Sequence, residues 1–188
     1  MMRRLAPLTL FAATMLVPVS SQAQASASMQ SLTSDERAAL APSRSMIDFG
    51  RTAAEANCAG CHGMDGISTE AGQPHLAGQR SVYIYRVLKA FQADARNDEH
   101  HNDFLNDKAM LATAVYYSSL DPVRLADREQ AGEQEETSGQ ADEDPFYDIR
   151  EPMQRCVKCH GETGNASGRG MPSLVAQDPE YFVTSMLA

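Results

Sequence analysis

The sequence predicts an all-α protein built from two tandem copies of one small unit, and three observations carry that expectation. The pentapeptide Cys-x-x-Cys-His occurs twice, as Cys58-Ala59-Gly60-Cys61-His62 and as Cys156-Val157-Lys158-Cys159-His160. A shift of 98 positions (58 to 156) superposes the two motifs and much of what surrounds them, with no gap. Apolar residues after the first motif recur at i, i+3, i+4 and i+7, the period of amphipathic helices.

Met1-Met2-Arg3-Arg4, an apolar run from Leu5 to about Val19 and a tail ending Ala23-Gln24-Ala25 have the parts of a secretory signal peptide. Residues 1–25 are therefore expected to be cleaved after Ala25. The apolar run is short for a full membrane span. No other segment is apolar enough, so no transmembrane anchor is expected after cleavage. Residues 26–44 are small and polar and read as a tether, with one short helix starting at Ser34-Asp35-Glu36.

A helix from Ile47 to Asn57, with Phe49, Ala53 and Ala56 at helical spacing, delivers the first motif. Gly63 to Gln79 is rich in Gly and Pro and reads as loop. Ser81 to Phe91 is apolar at Ile84, Val87, Leu88 and Phe91, which predicts a second helix. A third runs from about Asp107 to Ser119, with Met110, Leu111, Ala114 and Val115 inward and Tyr116 and Tyr117 as packing residues. These elements make a first domain over residues 45–120.

Residues 121–148 hold Glu133-Gln134-Glu135-Glu136 and Asp142-Glu143-Asp144 among Ser, Gly and Gln. Such a stretch cannot bury enough surface to order itself. It reads as an acidic linker, generous in length for two domains meant to pack closely. Residues 149–188 form the second domain, incomplete at its C-terminus: Ala188 is the equivalent of Ala90, and nothing matches Phe91 to Leu120.

The chemistry lies in the pentapeptides. Cys-x-x-Cys-His is the covalent attachment site of c-type haem. Cys58 and Cys61, and again Cys156 and Cys159, can add across the two vinyl groups of one macrocycle. His62 and His160 are then carried under the ring as proximal iron ligands. All four cysteines of the chain fall in the two copies, so haem c is expected twice per chain. In both copies a proline lies 12 positions after the histidine (62 to 74, 160 to 172). A ligating imidazole needs its second nitrogen held by an acceptor, and proline offers a carbonyl on a stiff backbone. The Pro74 and Pro172 carbonyls are accordingly expected to accept from Nδ1 of His62 and His160. Disulfides or one Cys₄ zinc site would leave the paired His and Pro positions unexplained.

Around these motifs the repeat extends through Gly63 and Gly161, Gly66 and Gly164, Leu76 and Leu174, Gln79 and Gln177, and Tyr83 and Tyr181. The succession CxxCHG, Pro-x-Leu-Ala-Gly-Gln, an aromatic-rich helix and a Tyr-Tyr helix resembles the diheme class I cytochromes c, the cytochrome c-four group. The resemblance covers residues 45–120 and 145–188. It implies tandem class I cytochrome c domains and electron transfer in the periplasm, a location with which the leader agrees.

The resemblance also implies a distal methionine on each iron, a few residues after a basic residue like Arg96. Here the loop reads Arg96-Asn97-Asp98-Glu99-His100-His101, and Met110 falls further on, at a core position of its helix. His100 or His101 is therefore the candidate distal ligand of the first haem, and either register is allowed. Two solvent-facing histidines with an open or otherwise ligated iron are the alternative. Replacing thioether by imidazole lowers the potential. For the second haem, Met171 precedes Pro172 on the proximal side and Met186 is read as core. A truncated product or a five-coordinate iron follows.

The formal charge is −9, and loss of Arg3 and Arg4 with the leader takes the mature apoprotein to about −11. Nucleic acid is thereby an unsuitable partner, and a redox protein with a basic docking face is a suitable one. A quinol-side donor and a terminal oxidase or reductase are the partners that the resemblance implies. An electron carrier is expected rather than an enzyme. The alternatives are a haem enzyme or ligand-binding protein using an open second haem, and a cytochrome subunit of a dehydrogenase.

Overall fold

The computed structural model describes residues 32–96, 101, 106–124, 150–165, 168 and 170–187. The leader, most of the acidic linker and His100 lie outside these. The chain divides into two units, Met1–Thr33 and Ser34–Ala188, and both repeats belong to the second. Seven helices are described: α1 Ser34–Leu40, α2 Arg44–Asn57, α3 Ala59–His62, α4 Ser81–Gln92, α5 Asp107–Ser118, α6 Arg150–His160 and α7 Pro179–Leu187. An isolated antiparallel bridge joins Asn165 and Ser173, and there is no sheet among the described residues.

Helix α2 starts three residues before the predicted Ile47 because Ser43 caps it: its Oγ accepts from the Met46 N–H at 3.2 Å. Asn106 caps α5 in the same way, accepting from Ala109 N–H at 3.0 Å. Helix α5 is buried on every side from Ala109 to Tyr117. The inward positions Met110, Leu111, Ala114 and Val115 are all in the core, and Tyr116 and Tyr117 are packed there too.

The face that α2 turns inward differs from the expected one. Gly50, Ala53 and Ala54 are buried, whereas Ala56 is exposed and Phe49 is 41% exposed, with the Lys108 ammonium 5.3 Å from its ring centroid. The reason is steric. A Cβ at Gly50 would run into the backbone carbonyl of Ala112 and the Cβ of Tyr116. Helix α5 therefore crosses α2 at its one side-chain-free position, and close approach there rotates Phe49 outward.

Helix α1 occupies part of the expected tether and is fastened to α4. Ser81 Oγ donates to the Ala39 carbonyl at 3.0 Å, Tyr85 donates to Asp35 at 3.1 Å, and Arg86 pairs with Glu36 at 2.5 Å. These contacts hold the outer side of α4, whose apolar face is turned the other way.

The two repeats share one loop conformation after the motif. Gly63 and Gly161 have φ of 71° and 74°, and Gly66 and Gly164 both have φ of 72°, a region that only glycine enters at no steric cost. The Gly66 carbonyl accepts from Leu76 N–H at 2.8 Å, and the Gly164 carbonyl from Leu174 N–H at 2.9 Å. The repeats then grip each other reciprocally. The Gln79 side chain donates to the Ser173 carbonyl at 2.9 Å and accepts from Ser173 N–H at 2.8 Å. Its counterpart Gln177 donates to the His75 carbonyl at 3.1 Å and accepts from His75 N–H at 2.7 Å. His75 and Ser173 are themselves equivalent positions, so the contact is self-complementary, as across a twofold axis.

Burial separates the two copies. Helix α7 has no buried residue, and Val183 and Met186 are 51% and 61% exposed. Met186 is thus not the core residue its equivalence to Leu88 suggests. In the first repeat α5 packs against α2 and α4; among the described residues nothing covers α6 and α7 in that way.

Two outcomes follow from this packing. Gly50→Ala should destabilise the folded protein by about 3 kcal/mol through overpacking, read as a lowered denaturant midpoint. Gln79→Ala and Gln177→Ala should each lose about 1–2 kcal/mol. Because the two clamps close one interface, the double variant should depart from additivity in a double-mutant cycle.

Candidate functional site

Both Cys-x-x-Cys-His motifs end a helix, the first by following α2 and forming the short α3, the second inside the continuous α6. Cys58 closes α2, donating its N–H to Ala54 at 2.8 Å, and its own carbonyl accepts from His62 N–H at 3.0 Å. His62 is thereby placed at the end of α3, buried at 5% exposure. Its Nδ1 lies 3.0 Å from the Pro74 carbonyl oxygen, and His160 Nδ1 lies 3.0 Å from the Pro172 carbonyl oxygen. A carbonyl only accepts, so the hydrogen sits on Nδ1 in each ring and Nε2 keeps its lone pair.

No disulfide joins the four cysteines. Burial, and then the neighbouring Cys61, push the Cys58 thiol up to about 11. No group of three or more His, Cys, Asp or Glu that could hold a metal ion occurs among the described residues.

Both motifs open into one cavity of about 1460 Å³, larger than the ~300–1,000 Å³ usual for a single small-molecule site. Its wall in the first repeat is the inner face of α4, with Ile84, Val87, Leu88 and Phe91, together with Met110 and Thr113 of α5. Met110 is therefore core and cavity wall at once. The Thr113 hydroxyl is buried without a hydrogen-bond partner. From the second repeat come Leu174, Tyr181, Phe182 and Met186.

His101 faces His62 across the cavity, with ring centroids 6.1 Å apart and planes inclined by 43°. It is stacked on Phe91 at 4.5 Å, nearly parallel. At the seam between the repeats Tyr83 lies beside Tyr181, and burial, then Tyr181, push the Tyr83 phenol up to about 12. Arg96 donates to the Tyr181 hydroxyl at 3.4 Å.

Haem fits this set of residues. Each motif presents two thiols and an imidazole with its Nδ1 already held, at the mouth of a largely apolar cavity whose described lining carries no carboxylate.

Two contributors carried no legible signal. Tyr117 donates to the Gly63 carbonyl at 3.0 Å and Tyr116 to the Met64 carbonyl at 2.6 Å, which moors the loop after the first motif to α5. The twin Tyr marks a packed helix, but its hydroxyl targets lie more than fifty residues away. Gln79 and Gln177 were visible as repeat positions, and their partners in the opposite copy were not.

The fold is that of the c-type cytochromes. Residues 47–131 match the cytochrome c family model. The chain is 29% identical over 141 residues to the thiosulfate dehydrogenase electron acceptor of Thiomonas intermedia (strain K12), covering 71% of this chain and 62% of that protein. It is 29% identical over 160 residues to cytochrome c4 of Thiocapsa roseopersicina, covering 78% of this chain and 76% of the relative. The as-isolated structure of thiosulfate dehydrogenase from Marichromatium purpuratum superposes with a TM-score of 0.54 at 29% identity, over 76% of this chain and 32% of that one. The chain is thus similar to cytochrome c4 over most of its length, and spans less than two thirds of the first of these relatives. No helix among the described residues is long and apolar enough to cross a membrane.

Tyr117→Phe preserves the ring in the core and leaves the Gly63 carbonyl without its donor. A stability loss of about 1–2 kcal/mol is expected, measured as a shift of the guanidinium midpoint at constant slope.

Proposed function

We propose that this chain carries electrons in the periplasm through two covalently attached haems, one on each repeat. The observation that carries the reading is the repeated arrangement of Cys-x-x-Cys-His with the histidine Nδ1 3.0 Å from a proline carbonyl. Cys58 and Cys61 hold one macrocycle and Cys156 and Cys159 the other. His62 and His160 bind iron through Nε2, and Pro74 and Pro172 fix their tautomers and raise their basicity. When bound, haem supplies a one-electron ferric/ferrous couple. The protein's part is to hold it, exclude water and set its potential.

His101 is the distal ligand of the first haem in this reading. The 6.1 Å between the His62 and His101 ring centroids would let both imidazoles hold one iron. Phe91 stacks on His101 and holds its plane. Held by both imidazoles, the iron would offer no open site to a substrate, which suits transfer without bond making.

The partners belong to the same proposal. A chain of net charge −9 suits a donor with a basic face. The likeness to a thiosulfate dehydrogenase electron acceptor favours a second reading, a cytochrome partner of a dehydrogenase that oxidises a sulfur compound. A quinol-side donor passing electrons on to a terminal oxidase or reductase is the more general case. Mixing the ferric protein with each type of donor and following haem reduction separates them.

The test is maturation in a bacterial periplasm, haem counted per chain by mass, and electron paramagnetic resonance of the ferric protein. Two haems and a low-spin first site are expected. His101→Ala should turn that site high-spin, and His101→Met should raise its midpoint potential. An unaltered low-spin spectrum in His101→Ala would remove His101 from the iron. A chain exported without haem would end the reading altogether.

A further inference from the structure

Phe91 closes the apolar face of α4 and is 7% exposed. His101 lies against it with ring centroids 4.5 Å apart and planes inclined by only 13°, within the range of stacked aromatic pairs. The plane of His101 is inclined by 43° to that of His62. Of the two rings it meets, His101 therefore follows Phe91.

The sequence around His101 gives it no apolar immediate neighbour: it reads Asp98-Glu99-His100-His101-Asn102-Asp103. Polar side chains gain nothing by entering an apolar cavity, so contact with a buried ring is what rewards His101 for facing inward. Phe91 is itself braced. The Arg96 Cζ lies 5.3 Å from its ring centroid, within cation–π reach. Arg96 Nη2 in turn donates to Tyr181 Oη and Ser185 Oγ of α7, both at 3.4 Å. The second repeat thus supports, through Arg96, the ring on which His101 rests.

We propose that Phe91 is a positioning residue: its ring selects His101 as the partner of His62, fixes the angle between the two imidazole planes and resists exchange of His101 for an outside ligand. This rests on the reading of His101 as distal ligand given above. Phe91 acts through His101 alone, and contacts of this kind orient ligating imidazoles. The angle between two axial imidazole planes shapes the g-anisotropy of a low-spin ferric centre, so the orientation is directly readable. An added ligand such as cyanide gains the position only when His101 leaves it, and its apparent affinity scales with the open fraction. One aromatic stack biases such an equilibrium by about two- to tenfold.

The experiment compares haem-loaded full chains by electron paramagnetic resonance and by cyanide titration of the ferric protein: wild type, Phe91→Met, Phe91→Tyr, Arg96→Gln and His101→Ala. Phe91→Met keeps an unbranched apolar filler and loses the flat ring. Its first-site low-spin signal should shift in g-values, and cyanide should bind that site about two- to tenfold more tightly. Phe91→Tyr should stay near wild type in both, and Arg96→Gln should tighten cyanide by a smaller factor than Phe91→Met. His101→Ala, in which no imidazole has to leave, identifies the cyanide phase of the first site. Unchanged g-values and affinity in Phe91→Met, or an equal change in Phe91→Tyr, would overturn the positioning role, while a high-spin His101→Ala keeps the distal ligand. If Phe91→Met does not fold, Arg96→Gln decides, and an unmoved cyanide affinity there ends the proposal. A low-spin spectrum unaltered in His101→Ala would remove the parent reading, and this one with it.

Discussion

A hydrogen bond from a histidine ring to a proline carbonyl twelve residues downstream organises each repeat. It joins the end of a helix to a loop that would otherwise have no reason to return to it. The loop can close only through the positive-φ glycines that follow the motif, and Tyr116 and Tyr117 of α5 then hold it down. Helix α5 is in turn drawn close by the missing side chain at Gly50. Imidazole orientation, loop path and helix crossing are therefore one mechanical problem, with the ring's second nitrogen at its centre.

The repeats solve that problem alike and surround it differently. His–Pro distances, glycine dihedrals and loop hydrogen bonds agree between the copies. His62 is buried among the helices of the first repeat, while α6 and α7 keep their flanks exposed. Since burial and solvent exposure tune the potential of a bound haem, haems held by two such similar motifs on this scaffold would work at different potentials.

Much of this was legible in the sequence. The motif carries the attachment chemistry because thiol spacing and porphyrin geometry are fixed. Helices α4 and α5 follow the apolar period because each packs a defined face. The 98-residue shift exposes Gln79, Gln177, Tyr83 and Tyr181 as matched pairs. Their meeting was not legible, because the length and acidity of the linker argue against close packing, and contacts between copies leave no local pattern. Phe49 misled for a related reason: periodicity counts apolar side chains, whereas the α2–α5 crossing selects for the absence of one. The choice between His100 and His101 depends on how a loop turns, two adjacent histidines offer no periodicity to resolve it, and His100 lies outside the described residues.

The glutamine clamps touch only main chain on the far side. His75 and Ser173, the residues they hold, differ in size, charge capacity and hydrogen bonding, and the clamp is indifferent to this because every residue but proline presents the same N–H and C=O. A duplicated unit joined in this manner can let the side chains at its seam drift apart with no loss of register. Chemical divergence of the halves is then open to single substitutions, with the mutual geometry of the two motifs held constant.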